Sequence, residues 1–353
     1  MPVPFFSVLL PTKNRAIILG DAIRSVIGQT FADWELIVSD NDDSPTATQE
    51  VVSEVTDPRI RYFRTSGRLP MHENWESAFN QSRGQHVLVL EDKQRLNLNA
   101  LETLHRILIE QPEAVITYPV VVTHRESLPP APADLKPVPM RSVDLLRRYC
   151  SFDEDSWQYL PRGLNSSAPS ALLRQLQRVS PTGQVFSYLA PDHSQAYQVL
   201  SHRDVILHLP GDIIYIPMSL RKKGTFSNGL SCIRKDESAR RWFNELPVPL
   251  ANLLTEVPVK THWMPLNVIL YDFRVFLRRS DFTPEFDWVR YHGLSLYMVL
   301  LGKLWRCDMS PEWMAIRSSL KQHGFGFRLK VVLDVLRRLV VAIIRRLGGD
   351  RRL

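Results

Sequence analysis

Cysteine is scarce. Three residues, Cys150, Cys232 and Cys307, lie far apart in a chain of 353. An odd, sparse set builds no disulfide framework and offers no CxxC metal site, and it fits a reducing, cytoplasmic compartment. Long apolar runs are also missing. No stretch reaches the roughly 18 to 20 uncharged apolar residues of a membrane span. The N-terminus has no basic region followed by a long apolar core, so no signal peptide is expected. GxGxxG after the first strand, GxxxxGK[ST], HExxH and GxSxG are all absent, which removes the motif-based grounds for a dinucleotide fold, a P-loop, a zincin or a nucleophile elbow. Basic residues do not alternate with aromatics along one face, so no nucleic-acid partner is expected.

What is present is ordinary in bulk and informative in order. Hydrophobic residues make up 44% and charged residues 23%, as in globular proteins, and the net charge is +7. The length exceeds what one compact core usually takes, which predicts two lobes or a domain with an extension. Apolar runs at 6–10, 34–39, 60–64 and 86–90 read as strands, the first stopped by Pro11. Segments 16–30, 46–55 and 71–82 read as helices between them. Another helix at 96–110 and a strand at 114–123 follow. This alternation predicts βαβ units and a mostly parallel sheet with flanking helices. The proline-rich stretch 127–139 reads as a loop or linker.

From about residue 241 the pattern turns helical and aromatic. At 100° per residue, Lys330, Asp334, Arg337, Arg338 and Arg345 share one arc, and Leu329, Val332, Leu333, Leu336, Leu339, Val340 and Ile343 share the opposite one. Such a helix either meets an anionic membrane or packs on its own domain with its basic face in water. Arg346, Arg351 and Arg352 add charge at its tip.

Three strand ends carry the chemistry. Pro11-Thr12-Lys13-Asn14-Arg15 follows the first strand, Asp40-Asn41-Asp42-Asp43 the second, and Glu91-Asp92 the fourth. In a parallel sheet these ends share one edge, where α/β proteins bind ligands. A hydroxyl and amides in the first loop can read a nucleobase. A carboxylate in the second can accept from a base N–H or a ribose hydroxyl. Carboxylates in the third can hold Mg²⁺ or Mn²⁺ against a pyrophosphate.

Residues 5 to about 125 resemble the family-two glycosyltransferases, inverting enzymes of the GT-A fold. Pro11 to Arg15 resembles their P-T-x-N-R. The run from Ser25 through Gln29, Thr30, Glu35 and Val38 to Asp40-Asn41 resembles their S-x-x-x-Q-T-x-x-x-x-E-x-x-V-x-D-[DN]. Asn74, Ala78 and Gly84 match the spacing that precedes the acidic strand end. The resemblance implies a GT-A-like domain over 1–240, with a nucleotide-sugar half at 1–125 and an acceptor half at 126–240, and a helical extension at 241–353.

By the same resemblance Pro11, Thr12, Asn14, Arg15, Asp40, Asp42, Glu91 and Asp92 line the donor site, and Asp92 and Glu91 are the metal candidates. Where the family shows D-x-D, Gln94 replaces the last aspartate. Either Asp92 or Glu91 ligates alone, or Lys93 or Arg95 partly replaces the metal's charge, or donor binding is weak. Leu189-Ala190-Pro191-Asp192, followed by the strand at 213–220 and the loop 224–229, resembles the acceptor region. This makes Asp192 the general base, with His193 secondary.

The implied activity is inverting transfer from a nucleotide-diphosphate sugar to an acceptor hydroxyl, in cell-envelope or lipid-linked glycan synthesis. Two other readings stand beside it. One is a degenerate member that binds a sugar nucleotide or a partner without turnover, favoured by Gln94. The other is a nucleotidyltransferase, disfavoured by the glycine-free first loop.

Overall fold

The computed structural model describes residues 3–223, 228–246 and 248–347. The loop at 224–227 lies outside the described residues, as do Arg351, Arg352 and the side chains of Arg345 and Arg346. The chain forms two compact units. One takes Met1–Leu145 and Gln158–Thr225, the other Leu146–Trp157 and Phe226–Arg352.

The first unit opens as the sequence predicts, with β1 (Phe6–Thr12), α1 (Ala16–Ile27), β2 (Trp34–Asp40), α2 (Ala47–Ser53), β3 (Ile60–Arg64), α3 (Met71–Asn80) and β4 (His86–Val89). The next segment departs from expectation. In place of a helix from residue 96, a two-residue strand β5 (Arg95–Leu96) precedes α4 (Ala100–Leu108). The single strand expected at 114–123 divides into β6 (Ile116–Thr117) and β7 (Val120–Thr123). The end of the proline-rich stretch joins β8 (Val138–Arg141), an edge position where Pro139 costs no central rung. There follow α5 (Ser142–Cys150), β9 (Ser166–Pro169), α6 (Ser170–Val179), α7 (Pro191–His202), β10 (Val205–His208) and β11 (Ile214–Pro217).

Among the described residues these strands make an eight-stranded sheet in the order β3-β2-β1-β4-β9-β6-β10-β8, and a small sheet β5-β11-β7. The strands β3, β2, β1 and β4 run parallel, and β9 is antiparallel to β4 and β6. From β1 the chain builds outward to β2 and β3, then returns to place β4 on the other side. That reversal is a topological switch point, where open α/β sheets bind ligands beyond the strand ends.

Pro11 does not stop β1, which runs on to Thr12 in register with Asp40. β4 pairs with β1 only as far as Leu9, so the missing N–H of Pro11 faces a position that β4 no longer reaches. An apolar core packs helices α1 and α4 against the sheet, with Leu10, Ile23, Leu36, Leu88, Leu101 and Leu104 among its buried residues.

Gly84 holds the start of this sheet. A Cβ there would stand 2.6 Å from Ser7 N and 2.7 Å from Phe6 C, so only glycine lets the α3–β4 connection cross the β1 backbone. Glu35 completes that corner by accepting from Ser7 Oγ at 2.6 Å and Arg83 N at 2.7 Å. Two of the motif residues thus serve the sheet's far end.

Buried histidines give this unit a pH signature. His86 and His208 are 3% and 7% exposed, and burial drops each pKa from 6.5 to about 4. The unfolded chain binds these protons below 6.5 while the folded chain refuses them down to about 4, so stability falls as pH drops through that window. Between pH 7 and pH 5 each histidine is expected to remove about 2 kcal/mol. Glu76 and Asp92, whose pKa values burial raises, act in the opposite sense. The comparison is therefore urea denaturation of His86→Phe against wild type at both pH values. The variant should lose about 2 kcal/mol less on acidification; an unchanged difference would rule His86 out as a contributor.

The second unit is helical, with α8 (Asn228–Arg234), α9 (Glu237–Asn244), α10 (Leu250–Glu256), α11 (Pro265–Leu277), α12 (Trp288–Leu304), α13 (Ser310–Lys321) and α14 (Phe325–Leu347). Tyr291 on α12 donates to Asn267 Oδ1 at 2.6 Å, tying α12 to α11.

The helix α14 overturns part of the sequence reading. Only part of its polar arc stands in water: Lys330 and Arg337 are exposed, but Asp334 and Arg338 are 8% and 5% exposed, while the apolar arc faces outward. Arg338 pairs with Asp334 at 2.6 Å and also with Glu154. Gly293 on α12 makes room for this pair, since a Cβ there would fall 2.2 Å from Asp334 Oδ2. Among the described residues no helix is long and apolar enough to cross a membrane.

Candidate active site

The switch point brings the first and third loops together. Thr12 Oγ1 at the end of β1 donates to Asp92 Oδ2 at 3.3 Å, just past the end of β4. Arg15, at the start of α1, places Nη1 3.7 Å from Asp92 Oδ1. Asn74 on α3 steadies the same corner, accepting from Ser39 Oγ at 2.6 Å and donating to the Thr12 carbonyl at 3.3 Å. Pro11 is buried in the strand beneath.

The second loop is built around Asp40, which is fully buried. Its Oδ2 accepts from Tyr62 Oη at 2.7 Å and Arg64 Nη1 at 2.9 Å, and its Oδ1 accepts from Asp42 N at 2.8 Å. Arg64 also donates to the carbonyls of Asp42 and Ser44. Asp42 accepts from Thr48 Oγ1 at 3.1 Å, at the start of α2. Asn14, at φ +57°, exchanges two hydrogen bonds with Asp43 at 2.9 and 3.0 Å. That pair joins the first loop to the second. Asparagine tolerates this left-handed backbone better than most residues.

Gln94 has a different role from a metal ligand. Its Oε1 accepts from Glu91 N at 2.9 Å and its Nε2 donates to the Leu164 carbonyl at 3.2 Å. Glu91 is engaged by Lys93 Nζ at 2.9 Å. Arg95 turns away, donating to backbone carbonyls and to Asp21 at 2.9 Å. Among the described residues, Asp92 is left as a buried acid with only long side-chain contacts, from Thr12 and Arg15. Burial pushes its pKa above the ordinary aspartate value; Arg15 opposes that, and the Glu91 carboxylate adds to it.

These residues fit a divalent cation in one way. Mg²⁺ commonly takes one or two carboxylates and fills its shell with substrate phosphate and water. Asp92 suits that arrangement. Among the described residues, no cluster of three histidine, cysteine or acidic side chains could form an all-protein site.

Asp192 stands in the first turn of α7, behind Pro191 and the N-cap Ala190. A carboxylate is favoured at a helix N-terminus. Arg162 Nη1 lies 3.7 Å from its Oδ2, and the side chain keeps 15% of its surface exposed. His193 Nε2 lies 3.9 Å from the same oxygen, but the ring is buried and burial lowers its pKa to about 4. It is neutral near pH 7. The preceding loop is held by Glu76 on α3, which accepts from Val185 N at 3.1 Å and Phe186 N at 3.0 Å.

One short segment reaches both sides of the site. Leu164 meets Gln94, and Arg162, two residues earlier, meets Asp192. Sequence reasoning missed Arg64 and Arg162. Arg64 had a signal, since it ends β3 in register with Asp40 at the end of β2. Arg162 had none, because its partner lies 30 positions away and no pattern links them. Tyr159 packs edge-on against His208 at 4.5 Å.

A parallel sheet with acidic and hydroxyl residues at its switch point is a frame on which α/β proteins bind ligands. The family model described as Glycosyl transferase family 2 matches residues 7–178, which form a family-2 glycosyltransferase domain.

Over 105 residues it is 38% identical to the GalNAc(5)-diNAcBac-PP-undecaprenol beta-1,3-glucosyltransferase of Campylobacter jejuni, covering 29% of this chain and 34% of that protein. Over 96 residues it is 30% identical to the UDP-Glc:alpha-D-GlcNAc-diphosphoundecaprenol beta-1,3-glucosyltransferase WfgD of Escherichia coli, covering 27% and 38%. The match thus spans about a third of these relatives' length. A crystal structure of S. aureus TarS 1-349 with UDP-GlcNAc superposes with a TM-score of 0.44 at 15% identity, covering 70% of this chain and 69% of that one. Members of the family commonly use a divalent cation.

Proposed function

We propose that this protein is an inverting glycosyltransferase that moves a sugar from a nucleotide-diphosphate donor to a hydroxyl of a lipid-linked envelope glycan. The observation that carries this reading is the hydrogen bond between Thr12 and Asp92 across the switch point, with Arg15 beside it. Residues 1–125 serve the donor and 126–240 the acceptor. Thr12 and the loop held by Asp40 and Asp42 take the nucleoside, with Asn14 fixing the distance between the two loops. Arg15 and Asp92 face the diphosphate, and Asp92, with Glu91 beside it, would hold Mg²⁺ or Mn²⁺. Such a cation, when bound, neutralises charge on the departing diphosphate.

The rest falls to the chain itself. Asp192 accepts the proton of the acceptor hydroxyl as that oxygen bonds to the anomeric carbon. The bond from that carbon to the diphosphate oxygen breaks on the opposite face, so configuration inverts. Arg162 fixes the Asp192 carboxylate, and His193, neutral and buried, leaves the proton to Asp192. The undecaprenol-diphosphate acceptors named for two relatives support a lipid-linked acceptor here and a working position at a membrane surface.

Titration calorimetry with a panel of nucleotide sugars tests the donor site. With Mn²⁺, one donor should bind, and Asp92→Asn or EDTA should weaken it by about tenfold or more, the range of a hydrogen bond to a charged group. Equal binding with EDTA and with Asp92→Asn would shift the diphosphate's charge partner to Arg15 and Lys93. No binding to any donor would favour the degenerate, partner-binding reading.

A further inference from the structure

The helix α14 presents an apolar stripe to solvent. Leu329, Val332, Leu333, Leu336, Val340 and Ile343 are 47% to 58% exposed. At 100° per residue they fall within an arc of about 100°. Exposed Arg328 borders one rim, and exposed Lys330 and Arg337 border the other. Asp334, the one acid between Phe325 and Leu347, points inward and is paired with Arg338 at 2.6 Å and Arg337 at 3.1 Å. The ordinary arrangement of an amphipathic helix on a globular core is therefore reversed: the charged pair is buried and the aliphatic face is bare.

We infer that this face of α14 docks on an anionic lipid bilayer. An apolar stripe between basic rims matches the boundary between acyl chains and anionic headgroups, where such a helix lies in the plane and sinks its apolar face about 5 to 10 Å. With 23 residues, α14 would cover about 35 Å of that surface. The same unit exposes Trp305 and Trp313, of the residue type enriched at membrane–water interfaces.

A second copy of the chain fits less well. Positions 329, 333, 336, 340 and 343 alternate in steps of four and three, as in a coiled-coil seam. The flanking positions, however, carry Lys330 and Arg337 with no exposed acid on the helix to meet them. Two copies would set like charges side by side, whereas an anionic surface would neutralise them.

The test is co-sedimentation of the full chain with sucrose-loaded vesicles of phosphatidylcholine, alone or with a quarter of phosphatidylglycerol. Binding to the anionic vesicles should exceed binding to neutral ones by at least about tenfold, and 0.5 M salt should reduce the excess. The double variant Leu333→Glu, Leu336→Glu should lose at least about tenfold of the anionic binding. Both positions are exposed, so its melting curve should match wild type. Equal binding to both vesicle types, or a variant that binds as wild type does, would overturn the inference. A wild-type dimer in sedimentation velocity that the variant converts to monomer, without vesicle binding by either, would assign the stripe to a second copy. Because the readout is lipid binding, its failure leaves the transferase reading untouched, and failure of the donor titration leaves this one untouched.

Discussion

Asp192→Asn should lower kcat by about 10²- to 10⁴-fold while leaving donor affinity unchanged. That is the usual range for loss of a general base. The substitution keeps the shape of the side chain and its place in the first turn of α7. It removes the carboxylate that could take a proton. Neither described neighbour can replace it: the Arg162 guanidinium is a cation, and His193, although its pKa of about 4 keeps it neutral, is buried. Steady-state kinetics with a matched donor and acceptor, together with calorimetry of the donor alone, separate the two effects. A loss of kcat below tenfold would move the base elsewhere. A parallel loss of donor affinity would show that Asp192 binds rather than reacts. Arg162→Ala provides the intermediate case: the carboxylate remains but loses its anchor, so the fall in kcat should be smaller.

The second large effect is on stability. Asp40→Ala should cost about 3 kcal/mol, the lower end of the range for breaking a buried ion pair. Asp40 is fully buried, and its removal strands Tyr62 Oη, Asp42 N and Arg64 together. The lower end applies because Arg64 keeps 36% of its side chain in water and can recover some hydration. Asp40→Asn keeps the acceptor for Asp42 N but cannot neutralise Arg64, so it should fall between. Urea denaturation measures both. A cost under 1 kcal/mol for Asp40→Ala would mean that the network behaves as a surface pair. If Asp40 also meets the nucleobase, Asp40→Asn should lose donor affinity beyond what its small loss of stability explains.

The β-α alternation was legible because strands buried on both faces leave apolar runs, and helices between them leave a 3.6-residue period. Thr12, Asp40 and Asp92 could be placed on one edge because parallel strands put their C-terminal ends together. Other features depended on pairing that no local pattern carries. Pro11 reads as a stop, yet β1 continues because β4 ends earlier. Residues 114–123 read as one strand, yet Ile116–Thr117 and Val120–Thr123 belong to different sheets. Gln94 reads as a weakened ligand, and its role in closing the turn depends on Leu164, 70 positions away. The arcs of α14 were legible, but their orientation was not, since it depends on Glu154 and Gly293.

Gln94 has a mechanical consequence. In joining the Glu91 turn to Leu164, it couples the loop that carries Asp92 to the segment whose Arg162 lies 3.7 Å from Asp192. Three residues of chain then set the spacing between Asp92 and Asp192, the groups proposed to face the departing and the attacking side. That spacing is fixed when the protein folds, before any substrate arrives, so the entropy of aligning the two sides is lost once, during folding, and not again at each turnover.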